Sequence, residues 1–525
     1  MKNMDDELRK SNKVSESCRS EGNRFYVQRI FFDAILKYNE SLCYAVNGSE
    51  NVGLAYANRS AVYFEMKLYD KSLRNIELAR ANNYPEKNYE ILKKRETKCK
   101  ELMKNTLTTV NDLSFFKLSY EGNKDYPSIA ACLEKRINNK YGRHIITNKA
   151  LSVGDIIAIE DPVYKVIKSD ERYSTCYANN VYQRCENCLD ENLLDLIPCT
   201  FCTKAMYCSS ECMNYSFTHY HKYECSIVED LLRSGIKHVI LRIFFEGLSA
   251  FNHDINKFKE FVKENEGTNF SFFEVKNSKN SRELFLATLS LASKEVKVDT
   301  ALEFEELFKL SETLNSLWIN HQNFITNLLQ KLSIVGNRDI HGIGAWSLKQ
   351  NGMDEHNEPK NPSQYQQLIG NACYLFSSLL NHSCAPNIKR LNVGCKNVIV
   401  VCRPISAGDQ LFDSYRQNFN LLPKSMRQES LMKDYGFICD CEACINEWPL
   451  NKDLDVINDS VLEYAWESHD ELPYLQSKAI AVKRYKEYCD KFMKHGKNFP
   501  SAELVILQEC ISNCLLSITK PSFQF

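Results

Sequence analysis

Residues 185–225 read CENCLDENLLDLIPCTFCTKAMYCSSECMNYSFTHYHKYEC and hold seven of the 22 cysteines in this chain of 525 residues. These cysteines and one histidine form close pairs with the spacings C-x2-C, C-x2-C, C-x3-C and H-x3-C. The side chains are Cys185, Cys188, Cys199, Cys202, Cys208, Cys212, His221 and Cys225. Close pairs can share one ion, so the set completes two tetrahedral zinc sites with no position open for catalysis. Because about 40 residues bury too little surface to fold alone, we expect zinc to stabilise this segment.

A second group of cysteines lies in the run CDCEAC at residues 439–444. Cys439, Cys441 and Cys444 offer three thiolates, one fewer than a tetrahedral zinc ion needs. Inside the cell, dense cysteine indicates metal binding because disulfides are disfavoured there. Cysteines outside both groups, such as Cys18 and Cys402, are typical of small buried apolar residues.

The composition is that of a soluble globular protein, with 44% apolar and 25% charged residues. The formal net charge is -1, so no global attraction to nucleic acid or to an acidic membrane is expected. The start, MKNMDDELRK, has no apolar signal segment, and no apolar run approaches the roughly 20 residues that span a bilayer. We therefore expect a soluble intracellular protein, and its length predicts several domains.

Short β-strand patterns occur on both sides of the cysteine cluster. Residues 141–167 carry Ile, Val and Ala runs broken by Gly, Asn and Pro, which predicts two or three strands with tight turns. Strand patterns return in residues 370–380 and 397–415. These segments form either two small domains or one β-region interrupted by insertions. The second alternative is more economical, because a few short strands alone make a poor core.

The first hundred residues have helical periodicity with an internal repeat. Residues 25–42 resemble residues 62–79, and their aligned positions, such as Phe31 and Tyr69, lie 38 residues apart. The pair resembles tetratricopeptide repeats, whose unit is about 34 residues, and a plain helical hairpin is the alternative. A capping helix is expected at residues 84–105.

Helical patterning also fills residues 227–332 and the tail from residue 447. Helical segments therefore precede, interrupt and follow the predicted strands. The expected fold class is multidomain α+β.

The spacing of the cysteine cluster resembles the MYND zinc finger, in which the ligand pairs interleave. The resemblance implies one ion on Cys185, Cys188, Cys208 and Cys212, and another on Cys199, Cys202, His221 and Cys225. The stretch from Cys212 to His221 is slightly long for the family, which leaves His219 as a rival ligand. MYND fingers usually bind short proline-rich peptides. A DNA-binding finger is disfavoured because the segment is not strongly basic.

Four further motifs occur in the order GRHI (142–145), NHSCAPN (381–387), ISAGDQLFDSY (405–415) and DYGFICDCEAC (434–444). Together they resemble the SET domain of lysine methyltransferases. A MYND finger inserted into a split SET domain resembles the SET-and-MYND family, and the N-terminal repeats resemble its tetratricopeptide-bearing branch. The implied domains are a tetratricopeptide-like helical region (1–110), the N-terminal part of the SET domain (111–183), the MYND finger (184–226), a helical SET insert (227–340), the SET core (341–437), a post-SET zinc motif (438–446) and a C-terminal helical region (447–525).

This resemblance implies a protein-lysine N-methyltransferase that uses S-adenosylmethionine and acts on histone or non-histone proteins. The implied cofactor-binding residues are Gly142, Arg143, His144, Asn381, His382, Tyr415 and Phe437. Tyr415 would be the catalytic tyrosine, and Tyr435 and Phe437 would line an aromatic channel for the substrate lysine. In the family, the C-terminal part of the domain threads the NHSC segment to form a pseudoknot. The third implied zinc site combines Cys384 with Cys439, Cys441 and Cys444.

The same residues also admit structural roles. Tyr415 could simply end a strand, and His382, Tyr435 and Phe437 could be core residues. Close relatives often carry Arg-Gly-Asn-Gly before the first strand to hold the cofactor's carboxylate. This chain has INNKYGRHI at 137–145 instead, so its own lysine or arginine there, Lys140 or Arg143, would have to supply the charge.

The alternative function is a non-catalytic adaptor. It would recruit chaperone or corepressor complexes of the histone deacetylase type through the MYND and repeat regions. The family resemblance implies a location in cytoplasm and nucleus. It also suggests that residues 447–525 form a short helical cap on the substrate groove.

Overall fold

The computed structural model describes residues 10–103, 114–168, 180–189, 194–277, 279–292, 301–346, 366–471 and 477–520. These residues form a multidomain α+β protein, as the sequence predicted. Helices precede and follow a set of small sheets. The cysteine-rich segment and a group of helices separate the first strands from the later ones. Within the described ranges, no helix combines the length and apolar character needed to cross a bilayer.

Helical hairpins form the N-terminal region. Their helices are α1 (Asn12–Val27), α2 (Phe31–Tyr44), α3 (Glu50–Glu65), α4 (Tyr69–Ala81) and α5 (Tyr89–Met103). Phe31 and Tyr69, aligned by the sequence repeat, each begin the second helix of a hairpin. Small residues let the helices approach closely: Ala34 and Ser72 occupy equivalent positions and are fully buried. The predicted helical repeat and the following helix are both confirmed.

The β-strands form several small sheets. Their bounds are β1 (Leu133–Asn138), β2 (Gly142–Thr147), β3 (Ile156–Glu160), β4 (Tyr164–Ile167), β5 (Ile197–Pro198), β6 (Met206–Tyr207), β7 (Ile340–Trp346), β8 (Gln366–Cys373), β9 (Asn381–His382), β10 (Ile388–Val393), β11 (Lys396–Val401) and β12 (Phe412–Asp413). The sheet orders are β1-β2, β10-β11-β3, β4-β8-β7, β5-β6 and the parallel pair β9-β12. Because β3 pairs with β11 and β4 with β8, the two β-segments belong to one interrupted unit rather than two domains.

One predicted strand is shorter than the sequence pattern indicated. Strand β8 ends at Cys373, and Ser377–Leu379 form a 3-10 turn instead. The cause is the buried carboxylate of Glu160, which accepts hydrogen bonds from the backbone N–H groups of Phe376 at 2.6 Å and Ser377 at 3.0 Å. These bonds satisfy backbone donors that a strand would have paired, so the chain turns here.

Helices between the two halves of the β-region form its main apolar core. The helices are α6 (Ser210–Ser216), α7 (Lys222–Glu224), α8 (Val228–Arg233), α9 (Ile236–Ser249), α10 (Ile255–Glu264), α11 (Ser281–Leu289), α12 (Ala301–Lys309) and α13 (Glu312–Asp339). Phe244 and Phe245 of α9 pack against Phe308 of α12, with ring centroids 6.2 and 6.5 Å apart. Helix α13 bends at His321 and ends at Asp339, directly before β7.

The C-terminal region is helical, as predicted. Helices α14 (Lys424–Tyr435) and α15 (Glu442–Ile445) precede it, and its own helices are α16 (Asp459–Glu471), α17 (Lys478–His495) and α18 (Ala502–Ile518). The last three cover one face of the β10-β11-β3 sheet, where Val398 and Val400 share a buried cluster with Tyr488 and Leu507. This packing stabilises the sheet by removing apolar surface from water.

A buried polar cluster joins the N-terminal helices to the cysteine-rich segment. The carboxylate of Asp195 pairs with Arg59 at 3.2 Å and with Arg74 at 2.7 Å. It also accepts a hydrogen bond from the Asn75 amide at 2.7 Å. The side chains of Arg59 and Asp195 are 0% and 1% exposed. The helices therefore bind an acidic side chain of their own chain.

Candidate functional site

The first two metal clusters lie in the cysteine-rich segment. The first brings together Cys185, Cys188, Cys208 and Cys212, and the second Cys199, Cys202, His221 and Cys225. Within each cluster, the ligand atoms all lie within 4.8 Å of one another. Three or four thiols with at most one imidazole form the donor set that structural zinc prefers, so the residues present fit this ion.

His219 is the rival ligand, and the structure places it outside the cluster. Its Nδ1 lies 2.7 Å from the carbonyl oxygen of Tyr215, and its ring stacks on the Tyr215 ring. His221 Nε2 instead lies 3.5 Å from the sulfur of Cys199. The segment Phe217–His221 forms a wide π-helical turn, which absorbs the extra length between Cys212 and His221.

A third cluster joins two distant segments of the chain. Cys384 lies 3.6 Å from Cys444 and 3.9 Å from Cys439, measured between sulfur atoms. The backbone N–H of Cys384 donates to the sulfur of Cys441 at 3.3 Å. A buried guanidinium, that of Arg427, donates to Cys444 at 3.6 Å and so offsets the negative charge that four thiolates carry. This donor set also fits a structural zinc ion.

A cavity of about 1090 Å³ lies beside the third cluster, and we call it the larger cavity. The sequence-predicted residues among its lining are Gly142, Arg143, Asn381, His382, Tyr415, Tyr435 and Phe437. The Asn381 amide donates to the backbone oxygen of Arg143 at 3.0 Å. This bond holds the start of β2 against the NHSC segment. The same segment forms the parallel β9-β12 pair, and the expected threading stays a prediction.

His144 does not line the larger cavity, unlike the other residues predicted to bind the cofactor. Its ring is buried in the β1-β2 hairpin. Nδ1 lies 3.0 Å from the backbone oxygen of Gly142, and Nε2 lies 3.5 Å from the side-chain amide of Asn138. The alternation of strand side chains explains the difference, since Arg143 and His144 point to opposite faces.

Both cations proposed for the altered 137–145 segment reach the larger cavity. Lys140 forms an exposed ion pair with Asp440 at 2.9 Å. Arg143 donates to the backbone oxygen atoms of Ser290 at 3.0 Å and Leu291 at 3.4 Å. A third cation, Arg338 at the end of α13, also lines this cavity. Sequence reasoning missed Arg338 because it belongs to no recognisable motif.

His382 connects the third cluster to the cavity. Its Nδ1 accepts the backbone N–H of Tyr415 at 3.0 Å, and its Nε2 lies 3.4 Å from the sulfur of Cys384. The proton of the neutral ring therefore resides on Nε2. Burial lowers the pKa of His382 to about 4, so the imidazole stays neutral at physiological pH.

Tyr415 lies where the larger cavity ends. Its hydroxyl donates to the backbone oxygen of Leu380 at 2.7 Å, and its ring centroid lies 4.8 Å from that of Tyr435. Burial raises the pKa of Tyr415 above its ordinary value. The phenol is therefore a hydrogen-bond donor at neutral pH and not a strong base.

A smaller cavity of about 410 Å³ adjoins the first. Five residues line both cavities: Arg338, Asp339, Ser378, Tyr415 and Tyr435. Phe437 lines only the larger cavity, so the two predicted channel residues differ in position. Two adjoining cavities that share Tyr415 can hold two reactants next to one another.

The smaller cavity is more highly charged than the expected aromatic channel. Besides Tyr374, Tyr415 and Tyr435, its lining includes Arg390 and His341. Arg390 also forms a 2.6 Å ion pair with Asp413. The arginine comes from β10 and the histidine from β7, strands whose local sequences carry no catalytic motif.

The C-terminal helices do not cap this opening. No described residue of α16, α17 or α18 lines the smaller cavity. These helices lie over the β10-β11-β3 sheet instead. The expected cap on the substrate groove stays a prediction, because the lining of this cavity does not define the surface on which a substrate protein would lie.

Two protein-family models match segments of this chain. The SET domain family matches residues 291–416, and the MYND finger family matches residues 185–225. Protein-lysine N-methyltransferase SMYD4 of Danio rerio is 21% identical over 504 residues, which cover 83% of this chain and 66% of the relative. The human protein of that name is 21% identical over 541 residues, with 82% and 66% covered. Histone-lysine N-methyltransferase SET5 of Vanderwaltozyma polyspora is 34% identical over 88 residues, or 17% of each chain. The chain thus spans about two thirds of the length of the SMYD4 relatives it matches.

Proposed function

We propose that this chain, which belongs to the family of proteins that combine a SET domain with a MYND finger, is a protein-lysine N-methyltransferase that uses S-adenosylmethionine. The observation that carries the proposal is the meeting of two cavities at Tyr415. These relatives are named as lysine methyltransferases, which supports the same reaction class. Substrates would be lysine side chains of histone or non-histone proteins.

The larger cavity would hold the cofactor. When bound, S-adenosylmethionine supplies a methyl group activated by a neighbouring sulfonium charge. Asn381 and His382 would hold it from one side and the turn at Gly142 from the other, since these residues line the cavity. Lys140 and Arg143 offer positive charge for its carboxylate.

The smaller cavity would admit the substrate lysine. Tyr415 would orient the incoming amine through its hydroxyl, which already donates to a backbone oxygen at 2.7 Å. The amine must lose its proton before it can attack, although the unperturbed lysine pKa is about 10.4. Enclosure in the cavity and the nearby guanidinium of Arg390 both disfavour the ammonium form.

A peptide-binding role of the MYND finger has its own support and can coexist with catalysis. Phe201 is 69% exposed, and its ring lies 5.6 Å from that of Phe217. An exposed phenylalanine backed by a half-buried one suits a proline-rich peptide, because such peptides dock against aromatic faces. The adaptor function, with chaperone or corepressor complexes as partners, would use this surface. We propose that the protein is located in the cytoplasm and the nucleus.

Calorimetric titration of the zinc-replete protein with S-adenosylhomocysteine tests the cofactor site. We expect micromolar binding in the wild type, and loss of this binding in His382→Ala, because the ring fixes the backbone of Tyr415. His219→Ala is the matched control, since this histidine lies outside the clusters and the cavities. Absence of binding by folded, zinc-replete wild type would refute the methyltransferase proposal and favour the adaptor.

Tyr415→Phe tests the transfer step. The variant removes one hydroxyl at the junction of the cavities, and loss of one such donor lowers turnover about 100-fold. Binding of S-adenosylhomocysteine and zinc content should stay at wild-type levels, because the ring and its packing remain. The measurement is transfer of a labelled methyl group to core histones and to a mixed peptide array. Unchanged turnover would contradict the assigned role of Tyr415.

A further inference from the structure

We propose that Asp339 is a catalytic residue that binds the ammonium group of the substrate lysine and accepts its proton before methyl transfer. This inference rests on the proposed function and adds a residue that no sequence motif marks. Asp339 is the last residue of α13, and the chain turns into β7 directly after it. Its position therefore depends on two rigid elements rather than on a mobile loop.

Asp339 lies at the junction where the two reactants would meet. It lines both cavities together with Tyr415 and Tyr435. Among the described residues that line the smaller cavity, it is the only acidic one. A cation that enters the smaller cavity has no other lining carboxylate to pair with, so the ammonium group would be drawn to this point.

Charged and titratable groups from several elements lie around this carboxylate. The titratable and charged groups that act on it or share its cavities are Arg143 of β2, Arg338 of α13, His341 of β7, Cys373 of β8, Arg390 of β10, and Tyr415, Arg416 and Tyr435 near the C-terminal end of the site. The bound cofactor would add a sulfonium charge. Without Asp339, a substrate ammonium in the smaller cavity would meet guanidinium groups and no lining carboxylate, which would disfavour its entry.

The proposed proton transfer is balanced without any further reactant. The ammonium N–H gives its proton to a carboxylate oxygen of Asp339, and the nitrogen keeps the electron pair. That pair then forms the new N–C bond while the C–S bond breaks, with its electrons left on sulfur. The products are a methylated ammonium, S-adenosylhomocysteine and a protonated Asp339, which releases its proton to solvent through the open cavity.

The acid strength of Asp339 suits this exchange. Enclosure by the protein raises the pKa of the Asp339 carboxyl to about 7, against the guanidinium groups of Arg143 and Arg338, which lower it. A base is most effective when its pKa lies near the working pH. The carboxyl can therefore both accept and release a proton under physiological conditions, whereas an ordinary exposed aspartate is too weak a base.

Binding of a lysine side-chain analogue tests the proposal without a known substrate. The probe is n-butylammonium, followed by ligand-observed NMR with full-length zinc-replete protein saturated with S-adenosylhomocysteine, and 1-butanol is the uncharged analogue. The wild type should prefer the cation. Asp339→Asn should weaken n-butylammonium binding about tenfold or more, as expected for a lost charged hydrogen bond, and leave 1-butanol binding unchanged.

Asp434→Asn is the matched control. Asp434 pairs with Arg416, a lining residue of the smaller cavity, but lines neither cavity itself. The Asp434→Asn variant should keep the preference for n-butylammonium over 1-butanol. Equal n-butylammonium binding by wild type and Asp339→Asn would overturn the proposal, and so would an equal loss in both variants. If folded wild type fails to bind S-adenosylhomocysteine, the proposed function itself is refuted. This result differs from the two n-butylammonium results that would overturn only the role of Asp339.

The pH dependence of transfer gives a second readout that a purely structural role would not move. In the wild type, transfer should rise as pH increases through about 7, because the carboxylate form is the base. Asp339→Asn should lack this rise, while Asp339→Glu should retain it at lower turnover. A rise in Asp339→Asn equal to that of the wild type would show that another group accepts the proton.

Discussion

Replacement of Cys441 by serine is expected to remove one of the three zinc ions that the clusters can hold and, with it, binding of S-adenosylhomocysteine. Cys441 belongs to the cluster that joins Cys384 to the segment after Phe437. Structural zinc contributes about 10–16 kcal/mol apparent binding free energy, which rivals the whole stability of a typical domain, about 5–15 kcal/mol. Loss of this ion should therefore displace the residues of this cluster that line the larger cavity.

The coupling between this ion and the cavity has a defined route. The ring of His382 lies 3.4 Å from the sulfur of Cys384 and accepts the backbone N–H of Tyr415 at 3.0 Å. Movement of Cys384 would displace the histidine and then the tyrosine. The two MYND clusters share no ligand with this site, so they should keep their zinc.

Elemental analysis and calorimetry together check this prediction. Cys441→Ser should lose about a third of its zinc, because one of the three clusters is broken. Cys402→Ser is the control, since this thiol lies outside the clusters and only donates to the backbone oxygen of Pro386 at 3.5 Å. Full zinc content in Cys441→Ser would rule out the third site as we assign it.

The second large effect is expected from Asp195→Ala, which should destabilise the protein by about 3–5 kcal/mol. The substitution leaves the buried guanidinium of Arg59 without its ion-pair partner. Arg74 loses its 2.7 Å ion pair as well. An uncompensated buried charge costs far more than the ion pair itself contributes.

Chemical denaturation measures the loss, and a double variant separates its causes. Arg59→Met with Asp195→Leu removes both charges and should recover most of the stability, because packed apolar side chains can replace a buried pair. Glu96→Ala is the control, since its pair with Arg80 lies at the surface and should contribute less than about 1 kcal/mol. A small effect of Asp195→Ala would mean that the helices and the finger are not coupled.

The buried polar cluster around Asp195 also bears on the adaptor alternative. Arg74 donates to the backbone oxygen of Cys208 at 2.7 Å, beside the first zinc cluster. Arg59, Arg74 and Asn75 of the helical hairpins are engaged with Asp195 of the same chain. An external acidic peptide would have to displace this carboxylate to use these three side chains.

Much of the site could be predicted because its ligands are close in sequence. Cysteines two or three residues apart meet whatever the rest of the chain does. The split β-region was also predictable, since its segments are too short to fold separately. The turn after β8 was not predictable, because a carboxylate 216 residues earlier in the chain, that of Glu160, determines it.

The fold class, the closely spaced cysteines and histidine of the metal clusters and the motifs that line the larger cavity were predictable from the sequence, whereas Cys384 was assigned by family resemblance. Three features emerged only in the folded chain: His144 turns away from the larger cavity, the last three helices cover the β10-β11-β3 sheet, and Asp339 lines both cavities. The difference arises from the range of the contacts. Local spacing dictates which neighbouring side chains share an ion, whereas a cavity is built by residues that meet only after distant strands have paired.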